Sequence, residues 1–201
     1  MKEMIKKVKG AFVQNGYRKH RNSFYKNEDG FYKLINFQKG AYGNYFYINV
    51  GLHPIGLPIL QANTLFMPEH PKEYECVLRE RVEEIVEEKK RKIWSKAQNW
   101  TDDDMIPHII DAIVDIEVWF QKWGSFNTIL DCPFDKMSKM FTVAPILWRK
   151  EYLLLKFYCA FQVGNVEEAQ KLFNEYSATA VKDLSFEGID SYLQSILTSK
   201  Y

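Results

Sequence analysis

Apolar residues near the start of the chain recur every three or four positions among lysines. They are Met4, Ile5, Val8, Phe12 and Val13. Gly16 follows where a helix commonly ends in a left-handed residue. The pattern predicts an amphipathic helix over residues 2–15, with its lysines on the solvated side.

The next segment changes to a two-residue period rich in Tyr and Phe. Turn signals interrupt it at residues 27–30 and again at 40–44. Alternation between turns of this kind is typical of an antiparallel meander. The predicted strands are residues 17–26, 31–39 and 45–52.

Alternation in the third predicted strand separates two sets of side chains. The set that we expect to pack against helices is Phe46, Ile48 and Val50. The set that makes the opposite face amphipathic is Tyr45, Tyr47 and Asn49, and we expect Asn36 and Gln38 of the neighbouring strand to join it.

After the meander comes a proline-rich segment that is predicted to be irregular. The residues that follow it fit either a helix or a strand. Four prolines within residues 53–73 exclude a regular helix or a central strand over most of that segment, and such a long loop is often functional. Residues 75–93 fit a helix, whereas 75–82 also alternate well enough to form a fourth strand.

From Thr101 onward the periodicity is helical. Thr101 and Asp104 have the spacing of a capping box, which makes capping the expected role of the Asp102–Asp104 run. The following helices are predicted over about 124–131, 144–163, 165–180 and 184–199. The predicted fold class is therefore α+β: an antiparallel sheet of about four strands in residues 1–100, packed against helices, with a C-terminal helical bundle in 101–201. We expect the two parts to share one continuous core.

Composition narrows the function classes. The 201 residues are 46% apolar and carry a formal net charge of +1, so they lack the long-range field of a general nucleic-acid or anionic-membrane binder. The three cysteines are dispersed and form no paired motif, which favours a reducing compartment. No segment has the apolar length of a membrane span or a secretory signal. We expect a cytoplasmic protein.

Catalytic motifs are missing from the sequence. It contains no nucleophile elbow, P-loop or dinucleotide-binding glycine pattern, and we predict no catalytic residue, cofactor or metal. His53, Glu69 and His70 share the proline-rich loop, but a zinc site needs three or four correctly placed ligands. Cys76 lies near two arginines, yet a buried thiol in a strand is the more frequent role of such a cysteine.

The candidate binding residues combine amides, tyrosines and arginines. They are Gln38, Tyr45, Tyr47, Asn49, Arg79 and Arg81. Tyr and Arg are enriched at protein interfaces, although Tyr also forms good cross-strand pairs. The amides have two interpretations: buried bonds to the 53–73 loop, or an exposed, neutral recognition face.

An ordered set of short motifs resembles the bacterial domain of unknown function 4304 family over about the first 100 residues. The matching positions are Gly16-Tyr17, Phe37-Gln38-Lys39, Phe46 to Gly51, and Cys76 to Arg81. The resemblance implies a strand at the last of these positions and a sheet packed against helices, and it supplies no catalytic residues. Small families of this general kind neighbour toxin or defence genes, which by analogy suggests an immunity-like binding role.

Two functions remain in competition. The favoured one is a non-catalytic module that binds a protein or ligand, with a protein partner contacting the Tyr-rich face of the sheet. The alternative is a small hydrolase-like enzyme, in which the 53–73 loop acts as a lid and Arg79 or Arg81 holds an anion.

Overall fold

The computed structural model describes residues 1–41, 46–96 and 101–199. These ranges contain a five-stranded antiparallel sheet in the order β1-β2-β3-β4-β5, together with nine α-helices. The strands are β1 (Arg18–His20), β2 (Ser23–Glu28), β3 (Phe31–Lys39), β4 (Phe46–Pro54) and β5 (Leu78–Arg81). The predicted α+β class is confirmed.

In the described ranges one helix precedes the sheet and the other eight follow it. They are α1 (Lys2–Gln14), α2 (Val82–Ile85), α3 (Glu88–Lys96), α4 (Asp102–Trp123), α5 (Phe126–Asp131), α6 (Phe134–Met137), α7 (Trp148–Gln162), α8 (Val166–Ala178) and α9 (Glu187–Thr198). The capping box at Thr101 forms as predicted, since the Asp104 N–H donates to Thr101 Oγ1 and the Thr101 N–H donates to Asp104 Oδ2. Both ambiguous interpretations of residues 75–93 are partly right, because β5 runs directly into α2 and α3.

The strand count differs from the prediction at one point. The predicted strand 17–26 is two strands, because Arg21 adopts a φ of 50° and turns the chain so that His20 pairs with Ser23. A left-handed arginine is uncommon, and no glycine marks this turn in the sequence. The sheet therefore has one more edge hairpin than the pattern predicted.

One face of the sheet packs against helices through aromatic side chains. Phe12 of α1 stacks on Phe24 with ring centroids 4.2 Å apart, and its edge meets Phe37 at 6.1 Å. All three side chains are almost completely buried. Helix α4 covers the same face, where the Phe120 ring lies 6.0 Å from the Lys33 ammonium. Buried residues of the sheet and of the C-terminal helices form one continuous apolar cluster.

The proline-rich segment after β4 is held between the sheet and the C-terminal helices. The hydroxyl of Tyr158 in α7 donates to the Ile55 carbonyl at 2.6 Å, and that of Tyr192 in α9 donates to the Gly56 carbonyl at 2.9 Å. Close packing continues at Gly51, where an added Cβ would lie 2.7 Å from Cys76 Sγ. The start of this segment is therefore anchored to the C-terminal helices.

No helix in the described ranges is long and apolar enough to cross a bilayer.

Candidate functional site

The polar face is the side of the sheet opposite α1 and α4, and its side chains follow the strand register. One row crosses all five strands: His20 pairs with Ser23, then Asn36, Asn49 and Arg81. A second row consists of Arg18, Tyr25, Leu34, Gly51 and Arg79. The expectation that Asn36 and Gln38 share a face with Tyr47 and Asn49 is confirmed by this register.

The two central amides bond to each other. Asn49 is completely buried, and its Nδ2 donates to Gln38 Oε1 at 2.9 Å. Asn49 Oδ1 is also buried and has no hydrogen-bond partner in the described part of the chain. One interpretation predicted bonds from these amides to the 53–73 loop. The amides instead bond within the sheet, because Asn49 and Gln38 are diagonal neighbours on the same face of β3 and β4.

Arg81 and Tyr47 form the exposed end of the polar face. The Arg81 guanidinium lies over the Tyr47 ring, 4.1 Å from its centroid, in the geometry of a cation–π contact. Arg79 projects from the same side of β5, and its buried Nε has no partner among the described residues. The structure thus places five of the six predicted binding residues on one face, whereas the sixth, Tyr45, lies outside the described residues.

His53 anchors the loop that was considered for metal binding and catalysis. Its Nε2 donates to the Leu57 carbonyl at 2.9 Å, while its Nδ1 accepts from the Val77 N–H at 3.3 Å. Complete burial lowers the pKa of His53 to about 4, so the ring is neutral. Because both ring nitrogens are occupied by backbone groups, His53 has no free lone pair for a metal or for proton transfer.

Cys76 is equally unsuited to nucleophilic chemistry. Its thiol is buried under Gly51 and donates to the Lys72 carbonyl at 3.4 Å. Burial, together with Glu73 and Glu75, raises the pKa of Cys76 far above its usual range, and Arg79 opposes this only weakly. The described residues also contain no group of three or more His, Cys, Asp or Glu side chains arranged to hold a metal ion.

A second set of buried polar groups lies among the C-terminal helices. Glu151 of α7 is 4% exposed, and burial raises its pKa to about 8. Lys150 beside it donates to the carbonyls of Tyr176 and Thr179, and its ammonium lies 3.8 Å from the Tyr176 ring centroid. The surface has a groove of about 820 Å³ beside β1 and β2 and another of about 530 Å³ beside α7 and α8. Glu151 lines neither of them. This arrangement fits helix packing rather than a site open to substrate.

The sequence analysis missed a groove where β1 and β2 form the edge of the sheet. Its volume is about 820 Å³, and the polar-face residues Ser23, Tyr25 and Asn36 line it together with Arg18 and Arg21. We call it the edge groove. The signal that would have revealed it is the short segment "RKHRN", whose turn brings its cations to one side of the sheet.

Comparison with known proteins agrees with the resemblance noted in the sequence. The chain is an α+β protein built on a polar-faced antiparallel sheet. It belongs to the family described as "Domain of unknown function (DUF4304)", whose model matches residues 8–122. That match includes the second half of α1, the whole sheet and nearly all of α4. Neither the curated proteins nor the solved structures give a match.

Proposed function

We propose that this chain is a cytoplasmic, non-catalytic binding module that contacts a protein partner with the polar face of its sheet. The observation that carries the proposal is the row of neutral polar side chains that crosses five strands and ends at Arg81. Tyr and Arg are the residue types most often found at the energetic centres of protein interfaces.

The hydrogen bonding of the polar face supports a role in binding a partner over a role in stabilising the sheet alone. The Asn49–Gln38 bond satisfies one amide group on each residue, while Asn49 Oδ1 and Arg79 Nε lack partners among the described residues. Buried polar groups left unpaired cost about 1–3 kcal/mol each. Because both atoms are buried, an ordered water rather than a direct contact from a partner would satisfy them.

The loop chemistry supports binding over hydrolysis. His53 is a neutral anchor with both nitrogens occupied, and the Cys76 thiol is buried with a raised pKa. The loop is tied down by the hydroxyls of Tyr158 and Tyr192, unlike a lid that opens over a substrate. These contacts make His53 and Cys76 unavailable as a general base or nucleophile beside Arg79 and Arg81.

An affinity capture experiment tests the proposal. The wild-type chain and a Tyr47→Ala/Arg81→Ala variant would be immobilised and exposed to lysate of the source organism. We expect proteins retained by the wild type to be lost from the variant, since it removes the exposed cation–π pair. Retention of the same proteins at the same level would contradict the proposal.

A matched control separates this face from general surface charge. Arg149 of α7 and Lys171 of α8 are also exposed and also lie near acidic side chains. The Arg149→Ala/Lys171→Ala variant should retain the proteins that the wild type retains. An immunity-like role is one form of the proposal, and a toxin among the neighbouring genes would support it.

A further inference from the structure

The edge groove differs from the rest of the polar face in its charge. Five of its lining residues are Lys or Arg, whereas Glu73 is its single acidic lining residue. The turn at Arg21 and the pairing of His20 with Ser23 place these cations along one edge. A concave surface with this imbalance attracts anions even though the whole chain carries a net charge of only +1.

Three of the five cations in the groove already have partners. Lys26 pairs with Glu28 at 3.0 Å, Lys72 pairs with Glu75 at 3.6 Å, and Lys19 donates to the Arg21 carbonyl at 2.6 Å. Arg18 and Arg21 are exposed, and neither has a carboxylate within 4.0 Å in the described part of the chain. Two guanidinium groups are thus available for an anion from outside.

The floor of the groove offers neutral hydrogen-bonding groups. Asn36 Nδ2 donates to the buried Ser23 Oγ at 2.9 Å, and Tyr25 lies beside them on β2. Burial raises the pKa of the Tyr25 phenol, so its hydroxyl keeps its proton and can donate. Hydroxyl and amide groups can hydrogen-bond a neutral body, while neighbouring arginines bind phosphate oxygens.

The volume of the edge groove indicates the class of ligand that it can hold. A volume of about 820 Å³ lies within the range of about 300–1,000 Å³ that is usual for small-molecule sites. The half-buried floor and the exposed arginines suit a molecule that has both a neutral body and a phosphate. A nucleic-acid strand needs a longer basic track, which a chain of net charge +1 lacks.

We propose that the edge groove binds a small phosphate monoester, with Arg18 and Arg21 on the phosphate and Ser23, Tyr25 and Asn36 beneath the neutral body. This inference goes beyond the proposed function, since it assigns a small-molecule ligand class to one end of the same polar face. Arginine is preferred over lysine here because its planar fork binds two phosphate oxygens at once.

Isothermal titration calorimetry of the full chain tests the proposal with ribose 5-phosphate and adenosine monophosphate. The comparison ligands are inorganic phosphate, adenosine and a short single-stranded RNA. We expect at least one monoester to bind, and to bind more tightly than either inorganic phosphate or adenosine. No heat from either monoester, or binding of the RNA alone, would overturn the proposal.

Two variants locate the binding. Arg18→Ala/Arg21→Ala should weaken monoester binding by at least about tenfold, because it removes charge-assisted bonds. Lys6→Ala/Lys9→Ala, which removes two exposed cations of α1, should leave the affinity unchanged. Equal loss in both variants would show a general charge effect and overturn the assignment.

The two proposals fail separately. If the chain binds no monoester but the Tyr47→Ala/Arg81→Ala variant still loses its captured proteins, only the ligand assignment is wrong. If monoester binding is confirmed while capture is unaffected, the partner surface is wrong and the groove assignment stands.

Discussion

The two faces of the sheet are built from the same strands but differ in how their buried side chains are accommodated. On the helix-covered face, Phe24, Ile35 and Val50 are fully buried and contact a continuous apolar cluster. On the polar face, Asn49 is buried to the same extent but keeps an oxygen without a partner in the described chain. The buried side chains of the first face all pack against apolar neighbours. The buried polar atoms of the second face do not all form hydrogen bonds.

This difference separates stability from recognition. Apolar area removed from water stabilises the fold in proportion to its size, while a polar group gains little on burial and is costly when left unpaired. Residues on the first face should therefore govern the free energy of unfolding. Those at the exposed end of the second face should govern binding with little effect on stability.

The largest expected effect comes from the core of the helix-covered face. Phe37 is 1% exposed and contacts the rings of Phe12, Phe24 and Phe46. Phe37→Ala should lower the free energy of unfolding by about 3–5 kcal/mol, because it leaves a cavity that the sheet cannot close. Urea unfolding measures this, and a loss below about 1 kcal/mol would contradict the packing described here.

The next effect is a pH dependence at the buried edge of the polar face. The pKa of His53 is lowered from 6.5 to about 4. Between these two values, His53 is protonated in the unfolded chain and neutral in the folded chain. Stability is therefore fully present above pH 6.5 and decreases as the pH falls towards 4. Between about pH 7 and pH 5 we expect His53 to account for a loss of about 2 kcal/mol.

His53→Gln isolates this contribution. The raised pKa of Glu151 acts in the opposite direction, but it is present in both proteins and cancels when their pH dependences are subtracted. Urea unfolding of both proteins at the two pH values gives the difference. Equal pH dependence in wild type and variant would show that His53 is not held neutral.

A smaller effect is expected at the centre of the polar face. Asn49→Ala removes the bond to Gln38 but also removes an unpaired oxygen, and these changes partly offset each other. The expected loss is about 1 kcal/mol, well below that for Phe37→Ala. A double-mutant cycle with Gln38→Ala checks the contact, and a coupling energy near zero would mean that the amides do not interact in solution.

The smallest effect on stability belongs to the exposed end of the same face. Arg81 has 49% of its side chain exposed, over the Tyr47 ring. Arg81→Ala should change the free energy of unfolding by less than about 1 kcal/mol, since exposed cation–π and ion pairs are weak. Thermal unfolding monitored by circular dichroism measures this, and a loss as large as that of Phe37→Ala would make Arg81 part of the stabilising core.

Sequence patterns predicted the helix-covered face more completely than the polar one. The alternation of Phe46, Ile48 and Val50 and the helical spacing of α1 both follow directly from burial on one side. The register that brings Asn49 within hydrogen-bond distance of Gln38 depends on which residues pair across strands, and periodicity alone leaves that open.

The edge groove was missed for a different reason. A turn at Arg21 carries no glycine, so the segment "RKHRN" looked like the middle of one strand. His53 was missed as an anchor because its two backbone partners, Leu57 and Val77, lie on either side of an irregular loop. Contacts of this kind arise from tertiary packing, which no local pattern encodes.

Site-specific photo-crosslinking in living cells tests the recognition role of the polar face most directly. A photoreactive phenylalanine would replace Gln38, which is exposed on that face, or Gln170, which is exposed on α8. The binding account predicts a discrete crosslinked protein from position 38 and none of the same size from position 170. Crosslinking from neither position, or the same products from both, would contradict it.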